Sequence, residues 1–152
     1  MSVHVNKVEI SEEDIGREMQ YHPAPSQERA WQLAAQSLVI RQLLLQQATE
    51  DGFYSGTFDN GEVSQAEEEA IDHLLEQNVT IPEADEETCR RFYDTRSDSF
   101  RDSESGERFS FDQAHEQIRN YLHTKAMRVA IAEYIRALSF GAEIKGIELV
   151  NL

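Results

Sequence analysis

Five histidines, one cysteine and 29 acidic residues are the groups from which this 152-residue chain could assemble a reaction centre. His4, His22, His73, His115 and His123 fall in different predicted elements except for the last two, which stand two helical turns apart, too far to share a metal ion. Asp112-x-x-His115 and Glu69-x-x-x-His73 are single pairs and lack the repeated Glu-x-x-His spacing of di-iron bundles. Asp59-Asn60-Gly61 followed by Glu67 has the look of a calcium loop. Aligning Gly61 with the obligatory glycine, however, puts Gly56 and Phe58 where two ligand oxygens must be. Arg90 and Arg91 flank Cys89, yet no histidine is spaced to serve the thiol as a base, so it reads as incidental. The chain has no phosphate-cradling glycine motif, nucleophile elbow or zinc-spaced Cys/His set. The abundance of carboxylates makes any one pair uninformative, since solvated helix faces account for them. The sequence assigns no catalytic, cofactor-binding or metal-binding residue, and a non-enzymatic role is the expectation. A small hydrolase using surface carboxylates is the weakest of the readings considered.

What stands out instead is apolar and aromatic surface. Trp31, Leu38 and Leu45 lie along a leucine-rich helix, and Phe53, Tyr54 and Phe58 follow on a glycine-containing loop. Large aromatics are the usual anchors of polypeptide recognition, and loops often carry them. These six are the candidate peptide-binding residues. Core packing explains Trp31 at least as well, and for the loop aromatics packing and contact with a peptide or second copy stand open together.

The elements that must position these residues are marked by their caps. Val3 to Ile10 is rich in β-branched residues and leads into Ser11-Glu-Glu-Asp14, which predicts a short strand and then a short helix stopped by Pro23 and Pro25. Ser26 is the expected N-cap of a central helix that runs to about Asp51, before Gly52. Its apolar residues spread well beyond one stripe, so it is expected to be surrounded on most sides. Residues 52–63 read as a loop, and Ser64-x-x-Glu67 is a capping box for a third helix carrying Ala70, Ile71, Leu74 and Leu75. Asp85-Glu-Glu opens a fourth, with Phe92 and Tyr93. Residues 97–108 have a linker's composition and are expected to be poorly ordered. A long helix follows from about Phe111 to Phe140, ended by Gly141, and Ile144 to Val150 closes as a strand. Isolated strands are marginal in water, so the terminal strands are expected to pair, with Val8 and Ile10 beside Ile147 and Leu149. The fold expected is mainly α, with a long C-terminal helix and a small two-stranded sheet. One domain is expected over residues 1–152: a helical part at 1–96, a polar linker at 97–108 and a helix-and-strand part at 109–152.

Charge narrows the partners. Fourteen basic residues against 29 acidic ones give a net charge of −15, which repels nucleic-acid phosphates and anionic membrane surfaces alike. Residues 62–104 hold 14 acids and 4 bases, so most of the excess sits in the middle of the chain. No stretch approaches the ~18 apolar residues of a membrane span, and the start lacks the apolar run of a secretory signal. With its single cysteine, the chain is expected to be cytoplasmic. The long final helix and the apolar central helix make a homodimer the expected assembly, with elements exchanged between copies.

The order of these pieces resembles the SurA-type and NifM-like parvulin (PpiC-type) chaperone proteins. The likeness is carried by Val5-Asn-Lys-Val-Glu-Ile-Ser11, Glu18-Met-Gln-Tyr-His22, Ala30-Trp-Gln-Leu-Ala-Ala35 and the run Leu38-Val-Ile-Arg-Gln-Leu-Leu-Leu45. It continues through Arg91-Phe-Tyr93, Ile118-Arg-Asn-Tyr-Leu122, Ala132-Glu-Tyr-Ile135 and Ala142-Glu-Ile-Lys-Gly-Ile-Glu-Leu149. The resemblance implies a helical chaperone module built from an N-terminal segment and a returning helix and strand. In that family a prolyl-isomerase domain would stand between Tyr93 and the final helix. Here only the polar linker occupies that place, so none of the family's isomerase residues can be carried onto this chain. The expected function is ATP-independent, non-catalytic binding of unfolded or partly folded client polypeptides. The alternative is a dedicated assembly adaptor that binds one folded partner.

Overall fold

The computed structural model of the chain describes residues 2–56 and 65–152. It is mainly helical, with a small antiparallel sheet and a long C-terminal helix. The elements are β1 (Val3–Val5), β2 (Val8–Ile10), α1 (Glu12–Glu18), α2 (Gln27–Glu50), α3 (Gln65–Asn78), α4 (Glu86–Thr95), α5 (Phe111–Phe140) and β3 (Ile144–Lys145). Short 3-10 turns at Met19–Tyr21 and Ser97–Ser99 follow α1 and α4. Two compact units result, one of Met1–Val79 with Ile131–Leu152 and one of Thr80–Ala130, so α5 contributes residues to both.

In the first unit the sheet has three strands in the order β2-β1-β3 rather than the two expected. Asn6 and Lys7 both take positive φ, 49° and 74°, the backbone of a tight two-residue hairpin turn, and fold β2 back against β1 with Val3 opposite Ile10. The other edge of β1 takes β3, with His4 opposite Lys145 and Val5 opposite Ile144. Val8 and Ile10 therefore neighbour β1, not the C-terminal strand. The turn carries no glycine. Asn6 is held instead by three bonds: its N–H donates to the Glu143 carbonyl (2.8 Å), its Oδ1 accepts from the Glu143 N–H (2.8 Å), and its Nδ2 donates to Gln46 (2.9 Å). Gly146, at φ +86°, lets the closing segment pass β1, because a Cβ there would lie 2.3 Å from the Ser2 carbonyl oxygen.

The helices start where their caps predict. The Ser11 hydroxyl accepts from the Asp14 N–H (3.1 Å) and the Ser26 hydroxyl from the Arg29 N–H (3.1 Å). Helix α2 is covered within one chain. Ala34, Ala35, Leu38, Val39 and Leu43 pack with Val3, Val5, Ile10 and Ile15, while Leu44 and Ala48 pack with Ala70, Leu74 and Ile135. The bare central helix that made exchanged elements attractive is thus absent. Arg41 of α2 meets Glu67 of α3 at 2.7 Å, with both side chains largely out of water. Ser64, the expected capping partner of Glu67, lies outside the described residues.

The second unit is built around aromatics. The Asp85 carboxylate caps α4 by accepting from the Thr88 N–H (2.8 Å), and hydrogen bonding from the Thr88 side chain first, then from that N–H, holds its pKa below the usual carboxylate value. Cys89, Phe111, Ala114 and Ile118 are buried together, with Phe92, Tyr93, Phe100, Phe109 and Leu122 packed on them. The expected linker is a folded hairpin turn. Arg101 and Arg108 bridge, and the Phe109 N–H donates to the Phe100 carbonyl (2.7 Å). The Asp102 carboxylate accepts from the N–H groups of Glu104 (2.7 Å) and Ser105 (3.1 Å). Gly106 completes the turn at φ +72°. The polar composition hides this because the order comes from its ends, where Phe100 stacks on Tyr93 and Tyr93 donates its hydroxyl proton to the Phe109 carbonyl.

Candidate functional site

The structure separates the six candidate peptide-binding residues. Leu38 and Leu45 are 5% and 0% exposed and belong to the core, so they present nothing to a client. A helix apolar on most of its circumference does not reveal in sequence which residues neighbouring elements will cover. Trp31 is half-buried against the sheet-side core, and its indole N–H donates to Glu12 (3.2 Å). Phe58 lies outside the described residues. Phe53 and Tyr54 are half-buried beside Ala48 and Leu74 and open onto a cleft.

That cleft, about 670 Å³ in volume, lies entirely within the first unit between the segment after α2 and the first turns of α3. Helix α2 ends at Glu50 with Asp51 as its C-cap, and Gly52, at φ +86°, turns the chain so that the Phe53 N–H bonds the Ala48 carbonyl (2.8 Å). This places Phe53 and Tyr54 across from Ala66 and Ala70 of α3. Small side chains at i and i+4 on one helix face leave the width that the two rings line. Glu69, Asp72 and His73 complete the wall; Glu69 accepts from the Gln65 amide (3.0 Å), and the His73 ring meets Phe53 edge-on at 5.7 Å. Such a wall can desolvate an apolar or aromatic side chain and face a neighbouring cation with carboxylates. Asp72 and His73 were legible as polar helix positions, but their place beside Phe53 depends on how α3 packs.

The other histidines stay apart: His22 contacts Glu18 (3.2 Å), and His115 stacks on Phe111 (4.8 Å). Among the described residues, no group of three or more His, Cys, Asp or Glu side chains is placed to hold a metal ion, and no helix is long and apolar enough to cross a membrane. Cys89 is a buried free thiol.

Two features escaped the sequence reading. Gln42 is 0% exposed in the middle of α2, and both its amide atoms lack a hydrogen-bond partner among the described residues. Phe140, taken only as the last residue of the long helix, is 85% exposed. Its signal was present in the spacing: Glu133, Arg136 and Ala137 precede it on the same exposed face of α5. Comparison with protein-family models, curated proteins and solved structures gives no match.

Proposed function

We propose that this chain is a non-catalytic, ATP-independent chaperone-like protein that binds unfolded or partly folded polypeptides through the Phe53–Tyr54 cleft. The observation that carries this reading is the pairing of two aromatic rings with small α3 residues in a cleft of about 670 Å³, a size that accepts a large side chain. Clients would be held by burial of their apolar side chains, with modest affinity and broad specificity, because such contacts demand little directional geometry. The net charge of −15 supports the same role, since a strongly charged holder resists co-aggregation with its load. The resemblance to the parvulin chaperones points the same way, to a helical holding module working without the isomerase domain. The workplace in this reading is the cytoplasm, consistent with a single, unpaired cysteine.

Light scattering tests the proposal. A chemically denatured test protein is diluted into buffer with increasing amounts of the chain and no nucleotide. Scattering suppressed in proportion to the chain supports holding, whereas undiminished scattering together with capture of one native protein would replace this reading with the dedicated adaptor.

A further inference from the structure

The geometry points to a second, separate surface: a face around Phe140 through which two copies of this chain dock about a twofold axis, each Phe140 entering the other copy's cleft. This proposal is independent of the polypeptide-binding reading and uses none of its residues.

The helix periodicity that buries Ile135 sends Phe140 the other way, and the ring stands 85% exposed at the end of α5. Among the described residues it is the most exposed of the large apolar side chains, ahead of Tyr21 at 69%. Directly beside it is a cleft of about 460 Å³ in whose wall Ile144, Ile147, Leu149 and Leu152 join Phe140 itself. An apolar cavity of about 150 Å³ already accommodates benzene, so a phenyl ring from outside fits with room for its backbone. A projecting ring and a receiving cleft on one patch are what a twofold, self-complementary interface requires, because the same surface must supply both halves of each contact.

Charge selects a second copy as the occupant. Two chains of net charge −15 repel across most orientations, and residues 62–104 alone hold 14 acids against 4 bases. Residues 131–152 carry only Glu133, Glu143 and Glu148 against Arg136 and Lys145, and Lys145 is paired with Glu143 at 2.9 Å. The two charges of the cleft wall, Arg136 and Glu148, are opposite in sign; Arg136 donates to the Leu152 carbonyl (3.2 Å), and neither is paired with an oppositely charged side chain among the described residues. A twofold axis through the patch sets Arg136 of each copy against Glu148 of the other, making the pair twice. The two rings bury about 300–500 Å² between them, short of the ~1,200 Å² of a stable interface. Ile144, Ile147, Leu149 and Val150 must supply the rest, which makes the dimer a concentration-dependent one.

Sedimentation equilibrium of the full chain over the micromolar range reads this directly. The wild type is expected to show a reversible monomer–dimer equilibrium, weakened at least tenfold by Phe140→Ser. Glu148→Arg alone and Arg136→Glu alone are each expected to be monomeric, because like charges then face each other across the axis. An equimolar mixture of these two variants should form a heterodimer, and the chain carrying both substitutions should dimerise again. All three substituted side chains lie at the surface, so circular dichroism should be unchanged. A wild type that stays monomeric throughout, a dimer indifferent to Phe140→Ser, or charge variants that fail to combine would each overturn the proposal. The same holds if the face is protected only when a different protein is bound.

Discussion

Replacing Gln42 by methionine should make the protein more stable. Gln42 sits at 0% exposure in the most buried stretch of α2, and among the described residues neither its Nε2 nor its Oε1 has a hydrogen-bond partner. Protein data place the cost of a buried polar group left in this state at about 1–3 kcal/mol. Methionine keeps the unbranched side chain and nearly the same helix propensity. A volume-conserving core exchange costs under about 1.5 kcal/mol, so the net expectation for Gln42→Met is a gain of about 1 kcal/mol, with up to about 2 if the site accepts the thioether without repacking. For a chain of this length, each kcal/mol corresponds to about 2–4 °C in Tm. The single tryptophan, Trp31, lies in the same compact unit as Gln42, so its fluorescence during urea unfolding reports on the relevant structure. Leu45→Ala, a truncation at 0% exposure three residues along the same helix, is the calibrating contrast and should lose about 2–5 kcal/mol. A loss of more than about 1 kcal/mol on Gln42→Met would refute the reasoning, because it would mean that the amide holds a partner such as an ordered water in solution.

Removing the cation from the α2–α3 ion pair should be costly in the opposite sense: Arg41→Met is expected to lose about 3 kcal/mol, because Glu67 stays in a site with little water, and Arg41→Met with Glu67→Met should recover most of it. The pair can be followed by the same fluorescence-monitored unfolding. At high pH, Tyr134 should set part of the alkaline limit. Burial, and then the nearby Asp51 carboxylate, raise its pKa above the ordinary 10.0, so the neutral phenol is favoured in the fold. The stability this provides is complete below pH 10.0 and is lost as pH rises through the raised value; Tyr134→Phe should flatten that part of a Tm-against-pH profile.

The helix positions were legible because their signals are local. Ser11, Ser26 and Asp85 each stand just before an acidic first turn and do cap their helices, and Gly52 turns the chain out of α2. What depended on partners distant in sequence was not. The strand order turned on the Asn6-Lys7 turn, which lacks the glycine that usually announces a hairpin and is stabilised by Glu143, far along the chain. The 97–108 turn looked like a linker because its polar residues dominate, whereas its order comes from Phe100 and Phe109 gripping Tyr93. The candidate surface divided along the same line. Phe53 and Tyr54 followed from loop chemistry, and the structure places them on a cleft. Leu38 and Leu45 failed because hydrophobicity does not say which side of a nearly all-apolar helix will be covered. Gln42 gave no signal, since a glutamine among leucines reads as an ordinary helix residue.

The central claim is that the Phe53–Tyr54 cleft holds polypeptide, and the most direct test is equilibrium binding of a fluorescent aromatic-rich peptide, read by anisotropy. Loss of an anchor aromatic costs about 2 kcal/mol at a true hot spot, which is about 30-fold in Kd. Phe53→Ser with Tyr54→Ser should therefore weaken binding by at least that factor while circular dichroism reports an intact fold. Because both rings also pack on the core, Ala66→Trp supplies an independent arm: it fills the cleft from an exposed α3 position and removes no existing contact. The wild type is expected to bind, and both variants are expected to lose affinity. Unchanged affinity in a folded Ala66→Trp protein, or no binding by the wild type, would contradict it.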